Sequence, residues 1–300
     1  MIDLNRLLKD ERTCKALTGM SIQEFVDLSV QFKQMLYIVQ KERMGRKRAV
    51  GGGRRGKLPS AQKKLAFILM YLKIYPTFDV MGVLTNRARS KCCESVKRLL
   101  PVLERILKYA CVLPKRKISS LGEFFKAFPS AKDVFIDGAE RQIERPSKSS
   151  TRRKCYSGKK KYCTRKNIVM VDENRRIGVL LPTKSGRRHD KRLADKAQLF
   201  NHIPDHLTAW ADTGFQGATK IHSNVILPIK TTKNKKLSSK EKEHNKLVGS
   251  FRCVVEHAIG GYKRFKSASD IYRNRYPNRD DAFHTIAAGL WNFHLQYVSI

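Results

Sequence analysis

Three hundred residues, 41% of them hydrophobic, suffice for one large domain or two of ordinary size with a buried core. The chain carries 62 Lys and Arg against 26 Asp and Glu, a formal net charge of +36 spread in clusters along its length. That balance points to a polyanion, most simply nucleic acid, ahead of an anionic lipid surface or a merely soluble basic protein. No apolar run resembles a leader or approaches a membrane span. Seven scattered cysteines without CxxC spacing read as reduced thiols rather than a disulfide framework.

Residues 1 to 43 read as helical. In "SIQEFVDLSVQFKQMLYIVQ", Ser21 is an N-cap and Glu24, three residues on, completes a capping box. "GRKRAVGGGRRGKLP" (45 to 59) reads as a basic linker. Ser60 caps the next helix, whose Leu65, Ile68, Leu69 and Leu72 form one apolar face, and Tyr75-Pro76 ends it. Thr77 caps a short helix, "FDVMGVLT"; "NRAR" breaks it, and Ser90 is placed to cap a longer helix, "KCCESVKRLLPVLERILKYA". Short helix, tight turn and longer basic helix is helix-turn-helix order, with Arg87, Arg89, Lys91, Ser95 and Lys97 as candidate major-groove contacts. An ordinary helical hairpin is the other reading.

After about residue 130 the texture changes. "KDVFID", "KNIVMVD", "RIGVLLPT", "LTAWAD" and "NVILPI" read as five strands; "RHDKRLADKAQLFN", 238 to 265 and 280 to 295 read as helices. This predicts α/β organisation with a mixed five-stranded sheet. The expected division is a helical region with basic linker (1–50), a helix-turn-helix domain (51–115) and an α/β domain (130–300).

Two of the strands end in acids, Asp137 and Asp212. Acids delivered to one sheet edge from different strands can share a hard cation such as Mg²⁺, though Asp also ends strands because turns favour it. On the long helix, Val254, Val255, Ala258, Ile259, Tyr262 and Phe265 join Phe251 in one apolar stripe; Arg252, Glu256 and Lys263 occupy a flanking face. An Arg–Glu pair on a solvated face is the plainer account of the last group. "HIPDH" lacks the Glu of a zinc-protease helix and contains a Pro, and Cys155 with Cys163 lacks further ligands, so no zinc site is read.

The strings "DGAERQIERP", "YSGKKKYCTRK", "ADTGFQG" and "RCVVEHAIGGYKRFK", with Asp137, Asp212 and Glu256 in that order, resemble the blocks of DDE insertion-sequence transposases from the bacterial group related to eukaryotic Harbinger transposases. The resemblance covers roughly residues 50 to 295. It implies an RNase H-like catalytic domain with the first Asp on the first strand, the second just after the fourth, and the Glu on a following helix. It also implies that Asp137, Asp212 and Glu256 hold two Mg²⁺ (or Mn²⁺) ions for cleavage of element ends and strand transfer into target DNA. Arg252, Glu256 and Lys263 match the family's Tyr-x2-Arg-x3-Glu-x6-Lys signature, with Gly249 at the Tyr position; Cys163 stands where relatives carry His.

The partners implied are double-stranded DNA, both element ends and target, and a second copy of the chain in a homodimer or larger assembly, in the bacterial cytoplasm at the nucleoid. "KSSTRRKCYSGKKKYCTRK" (148 to 166) holds nine Lys and Arg and no acid. It reads as a loop and hairpin in which Arg153, Lys159, Lys160 and Lys161 grip backbone phosphates and Tyr156 and Tyr162 can stack on a base; a solvated ribbon is the alternative. "KTTKNKKLSSKEKEHNK" (230 to 246) is a further, more mixed cluster that reads either as a DNA contact or as a plain loop, and His189 and Asp190 match a family block, which places them near the site or leaves His189 a structural role. Two rival readings are a transposase-derived DNA-binding protein that has lost catalysis, and a simple helix-turn-helix regulator; the latter leaves the α/β region without a role.

Overall fold

The computed structural model describes residues 2–42, 49, 56–231, 236–274, 276 and 278–298. Most of the expected basic linker, and residues 232–235 of the cluster from 230 to 246, lie outside these residues. In chain order the helices are α1 (Leu4–Lys9), α2 (Glu11–Thr18), α3 (Ile22–Lys41), α4 (Ala61–Ile74), α5 (Phe78–Thr85), α6 (Arg89–Tyr109) and α7 (Leu121–Ala127). Strand β1 (Asp133–Gln142), helix α8 (Ser149–Cys155), and strands β2 (Tyr156–Ser157), β3 (Tyr162–Asp172), β4 (Ile177–Leu180) and β5 (Lys184–Ser185) follow. Then come α9 (Asp190–Lys196), β6 (Thr208–Ala211), β7 (Val225–Ile226), α10 (Ser239–Lys263), α11 (Lys266–Ser269) and α12 (Arg279–Leu295). No helix among the described residues is long and apolar enough to cross a membrane.

The chain gathers into two compact units, one of Met1–Leu113, Lys263–Ser269 and Phe293–Ser299, the other of Pro114–Tyr262 and Asp270–Asn292. Segments 1–50 and 51–115 thus fall almost wholly in the first, and 130–300 draws on both.

The first unit is helical, and its helix starts follow local chemistry. Ser21 and Glu24 form the capping box, Ser60 accepts from the Lys63 amide, and Thr77 accepts from Val80. Helix α4 departs from the single apolar face expected of it: Leu65 to Leu72 are all buried, so it is the unit's central helix. Ser90 does not cap α6. Asn86 turns the chain in a left-handed conformation, the Asn86 and Arg87 amides bond back to Val83 and Gly82, and α6 starts at Arg89 after an uncapping Ala88.

The second unit is built on a mixed sheet. Strand β3 pairs antiparallel with β1 along one edge and with β2, β5 and β4 in turn along the other; β1–β6 and β6–β7 are parallel. The sheet has seven strands where five were expected, because β2 and β5 are two-residue additions with no apolar run to mark them. Below the sheet, Val134, Ile136, Ile168 and Met170 pack with Phe124 and Phe128 of the α7 region and Leu193 and Ala194 of α9. Strand β4's free edge is closed by Lys115 and by the Asn292 amide, which both donates to and accepts from Ile177.

Strand β1 runs past Asp137 to Gln142, so Asp137 lies within a strand rather than at its end. The polar-looking continuation is stable because Arg141, wholly buried, donates to Asp280 at 2.8 Å and to the Asp270 carbonyl at 2.8 Å, and lies over the Tyr272 ring. Removing one partner of such a pair strands the other's charge. Asp280→Ala should therefore destabilise the second unit by about 3–5 kcal/mol, and Arg141→Met with Asp280→Leu should recover most of it. Urea unfolding followed by tryptophan fluorescence measures this, because both tryptophans, Trp210 and Trp291, lie in that unit. A loss under about 1 kcal/mol in the single variant would mean the guanidinium finds another partner.

Candidate active site

The parallel pairing of β1 with β6 ends at Ile136 opposite Ala211, so the next residue of each strand is an aspartate. Asp137 continues in β1, paired with Val169 of β3. Asp212 leaves the sheet and caps a 3-10 turn, Thr213–Phe215, accepting from the Thr213 amide at 2.7 Å. Asp137 accepts from the Gly138 amide at 2.7 Å. Both carboxylates face one guanidinium: Arg252 Nη2 is 3.5 Å from Asp137 Oδ2, and Nη1 is 3.5 Å from Asp212 Oδ1. Burial pushes the Asp137 carboxyl above the usual carboxylate range; the Gly138 amide and Arg252 oppose this, while Asp212 and Asp190 reinforce it.

The rotation of α10 that delivers Arg252 is set next door. Phe251 stacks on Trp210 at 4.5 Å, Trp210 stacks on Phe135, and Trp210 Nε1 donates to Asp133 at 3.0 Å. Val255, Ala258 and Tyr262 are buried, as their stripe predicts, whereas Phe251 remains 44% exposed. Glu256, one turn beyond Arg252, is exposed, and Lys263 is the last residue of α10. Arg252 stands between the two aspartates. No group of three or more His, Cys, Asp or Glu among the described residues is placed to hold a metal ion. Asp137 and Asp212 alone present hard oxygen donors to one cation, which suits a divalent ion of the Mg²⁺ type. At Gly249, an added Cβ would meet nothing within 4 Å.

Asp190 lies against the site from the α9 side. A Cβ on Gly138 would fall 2.9 Å from its Oδ1, and one on Gly214 3.0 Å from its Oδ2. Lys166 Nζ joins Asp190 (2.9 Å) to Glu140 (3.1 Å), and Glu140 also accepts from Thr164. Burial pulls the Lys166 ammonium down, but these two carboxylates outweigh it and leave its pKa raised. The His189-Asp190 pair marks this residue in the sequence; Lys166 and Glu140, cross-strand partners on β3 and β1, lie inside two of the family-like strings, with no sequence signal that they meet.

His189 is exposed and lines a cavity of about 570 Å³ with Lys154, Ser185, Arg187, Arg188 and Arg192. An adjoining cleft is lined by Ser149, Arg152, Arg153, Tyr156, Gly158, Arg187 and His189. Residues Ser149–Cys155 form α8 rather than the expected loop, and the hairpin follows as β2 and β3, with Lys159, Lys160 and Lys161 exposed in its turn. Arg187 and Arg188 stand immediately before the His189-Asp190 pair, and that run of two arginines is the sequence signal for their contribution.

In the first unit, Arg89, Lys91 and Lys97 are exposed on α6, with Arg89 near Asp79 (3.7 Å) and Lys91 on Glu94 (2.9 Å). Arg87 turns inward, donating to Ser95 at 3.0 Å above the Phe67 ring. Ser95 itself is 3% exposed, which removes it from the surface contacts expected of this helix.

The DDE superfamily endonuclease family matches residues 136–292. The chain is 31% identical over 282 residues to a probable transposase for insertion sequence element IS702 from Microchaete diplosiphon, covering 94% of this chain and 96% of that one. No solved structure matches.

The Gly138–Asp190 contact has a measurable signature. Gly138→Ala should cost about 1–3 kcal/mol of unfolding free energy in the second unit, as overpacking does. Combined with Asp190→Ala, the loss should fall short of the sum of the single losses by at least about 0.5 kcal/mol. Strict additivity would mean the two residues do not touch.

Proposed function

Since the chain belongs to the DDE superfamily endonucleases, we propose that it is a transposase that binds the ends of its own mobile element, cuts a strand there and joins the freed end to target DNA. The observation that carries the reading is the convergence of Asp137 and Asp212 from adjacent parallel strands on one cationic group. The strand order β4-β3-β1-β6-β7, antiparallel across the first pairs and parallel across the last, favours an RNase H-like domain. Counted without the two-residue β2 and β5, it puts the first Asp on the first strand and the second just after the fourth.

The family uses divalent metal ions. In our reading Asp137 and Asp212, with Glu256 from α10, hold two Mg²⁺ or Mn²⁺ ions. When bound, such ions polarise the phosphate and activate the attacking oxygen. The chain's own part is to fix the carboxylates and hold the DNA. Water attacks the phosphodiester at the element end and displaces its 3′ oxygen, leaving a 3′-OH. That hydroxyl then attacks a target phosphodiester at the same site, forming one P–O bond as another breaks, so no protein nucleophile is required. Arg152, Arg153, Arg187 and Arg192, with the exposed lysines of the hairpin turn, neutralise backbone phosphates, and Tyr156 offers a face for an unstacked base. Helices α5 and α6 read the end as a helix-turn-helix through Arg89, Lys91 and Lys97. Two ends must reach one target, so the working form is a dimer or larger assembly on DNA at the nucleoid.

Asp137→Asn, Asp212→Asn and Glu256→Gln should each abolish Mg²⁺-dependent nicking of a labelled element end while leaving its binding within about threefold, because affinity comes mainly from basic contacts. A variant that still cuts at a substantial rate removes its residue from the catalytic set.

Recognition is tested separately on α6. Arg89→Ala, Lys91→Ala and Lys97→Ala should narrow the preference for the element's own end over random DNA, by about 1–3 kcal/mol for each side chain that reaches a base edge. Unchanged preference in all three would place recognition elsewhere. Substitution serves better than deleting residues 1 to 115, because the first unit also contains Lys263–Ser269 and Phe293–Ser299.

A further inference from the structure

We propose that Arg252 is a built-in counter-ion of Asp137 and Asp212, a positioning residue that holds the two carboxylates side by side and gives way when a divalent cation binds them. This rests on the reading of those two aspartates as the cation-holding pair. The arms of its guanidinium face carboxylates of different strands, each at 3.5 Å. The side chain is 13% exposed, and its Nε is buried without a hydrogen-bond partner.

A guanidinium in a permanent structural pair donates to its carboxylate at about 2.7–2.9 Å. Arg141 does this in the same unit, at 2.8 Å to Asp280 and, through Nε, at 2.8 Å to the Asp270 carbonyl. Arg252 is instead close enough for Coulomb attraction and too far for a good hydrogen bond. Charge holds it there, and fit does not. Among the described residues the other donors to the two carboxylates are neutral, the Gly138 and Thr213 amides and the Thr213 hydroxyl. Two adjacent carboxylates with a single positive charge keep a net charge of about −1, which a divalent ion in the same place would bring to about zero. A divalent ion and the guanidinium compete for the same oxygens, so loading expels the arginine. Because α10 is anchored by the Phe251–Trp210 stack, the exchange needs only side-chain rotation. The displaced guanidinium is then available to a DNA phosphate, whose planar bidentate geometry it matches.

The test is Mn²⁺ binding to the full-length, DNA-free protein, measured by calorimetry and by the electron paramagnetic resonance signal of free Mn²⁺. Arg252→Ala should bind Mn²⁺ about tenfold or more tightly than wild type, since a neighbouring opposite charge shifts a carboxylate equilibrium by about one to three decades. Arg252→Gln keeps most of the stem and should behave likewise, which covers poor folding of the alanine variant. Both should unfold at lower temperature than wild type in EDTA, with the gap closing at saturating Mn²⁺. Unchanged or weaker Mn²⁺ affinity in both, or a gap that metal does not close, overturns the exchange. Asp137→Asn separates the two levels of the argument. If it binds Mn²⁺ like wild type, the aspartate assignment falls and the exchange with it. If it loses binding while the Arg252 variants gain none, the exchange alone falls.

Discussion

The register between β1 and β6 sets two negative charges beside each other. Parallel pairing that ends at Ile136 and Ala211 makes Asp137 and Asp212 neighbours by construction, one still inside the sheet and one just released from it. Burial raises the Asp137 carboxyl, and the like charge of Asp212 beside it adds to this. Much of the second unit can be understood as the response. Backbone amides bond to each carboxylate from the residue that follows it, and Arg252 faces both. Lys166 pairs with a third acid, Asp190, whose charge adds to the rise of the Asp137 carboxyl.

The same geometry explains the small residues that follow the aspartates. Asp190 occupies the volume that a side chain at Gly138 or Gly214 would need. Its carboxylate is wedged against the backbone just past each site residue, and its charge is absorbed by Lys166, which is fixed in turn by Glu140. Strand β1, strand β3 and helix α9 are therefore tied together by one buried ion chain directly beneath the site. Such a chain adds little net stability, because desolvation offsets its attraction. Its consequence is positional: any drift of β1 against α9 would pull the Lys166 ammonium away from one of its two carboxylates.

What could be read from the sequence follows how local the determining physics is. The caps at Ser21, Ser60 and Thr77 are legible because a cap needs only its own next three residues. The continuation of β1 through Glu140 and Arg141 is not, because those side chains are buried by partners on β3 and at Asp280, far away in sequence. The all-round burial of α4 depends on helices packed around it, and periodicity within one segment cannot report that. At the site, strand ends pointed to Asp137 and Asp212, and the helical stripe put Arg252 and Glu256 on one flank of α10. Which of the two faces the aspartates depends on the rotation imposed by Phe251 on Trp210, a contact between segments with no shared pattern.

A chain this basic keeps its acids for defined tasks, and their partners separate the tasks. Glu24, 1% exposed, bonds His294; Asp280 receives Arg141; Glu140 and Asp190 share Lys166. In each case a buried or half-buried carboxylate has a nitrogen partner within ordinary hydrogen-bond distance, as a folded interior requires. Asp137 and Asp212 break that rule together. Their cation stands at 3.5 Å, one of its own nitrogens is left unbonded, and burial holds Asp137 away from easy ionisation. Two half-buried carboxylates that face one guanidinium without a close hydrogen bond carry a cost that folding alone does not explain. A site that must exchange one cation for another, and then meet a polyanion, needs its carboxylates in place but not finally bonded. A pair closed by a direct hydrogen bond there, like that of Arg141 and Asp280 at 2.8 Å, would hold its carboxylate against any other cation.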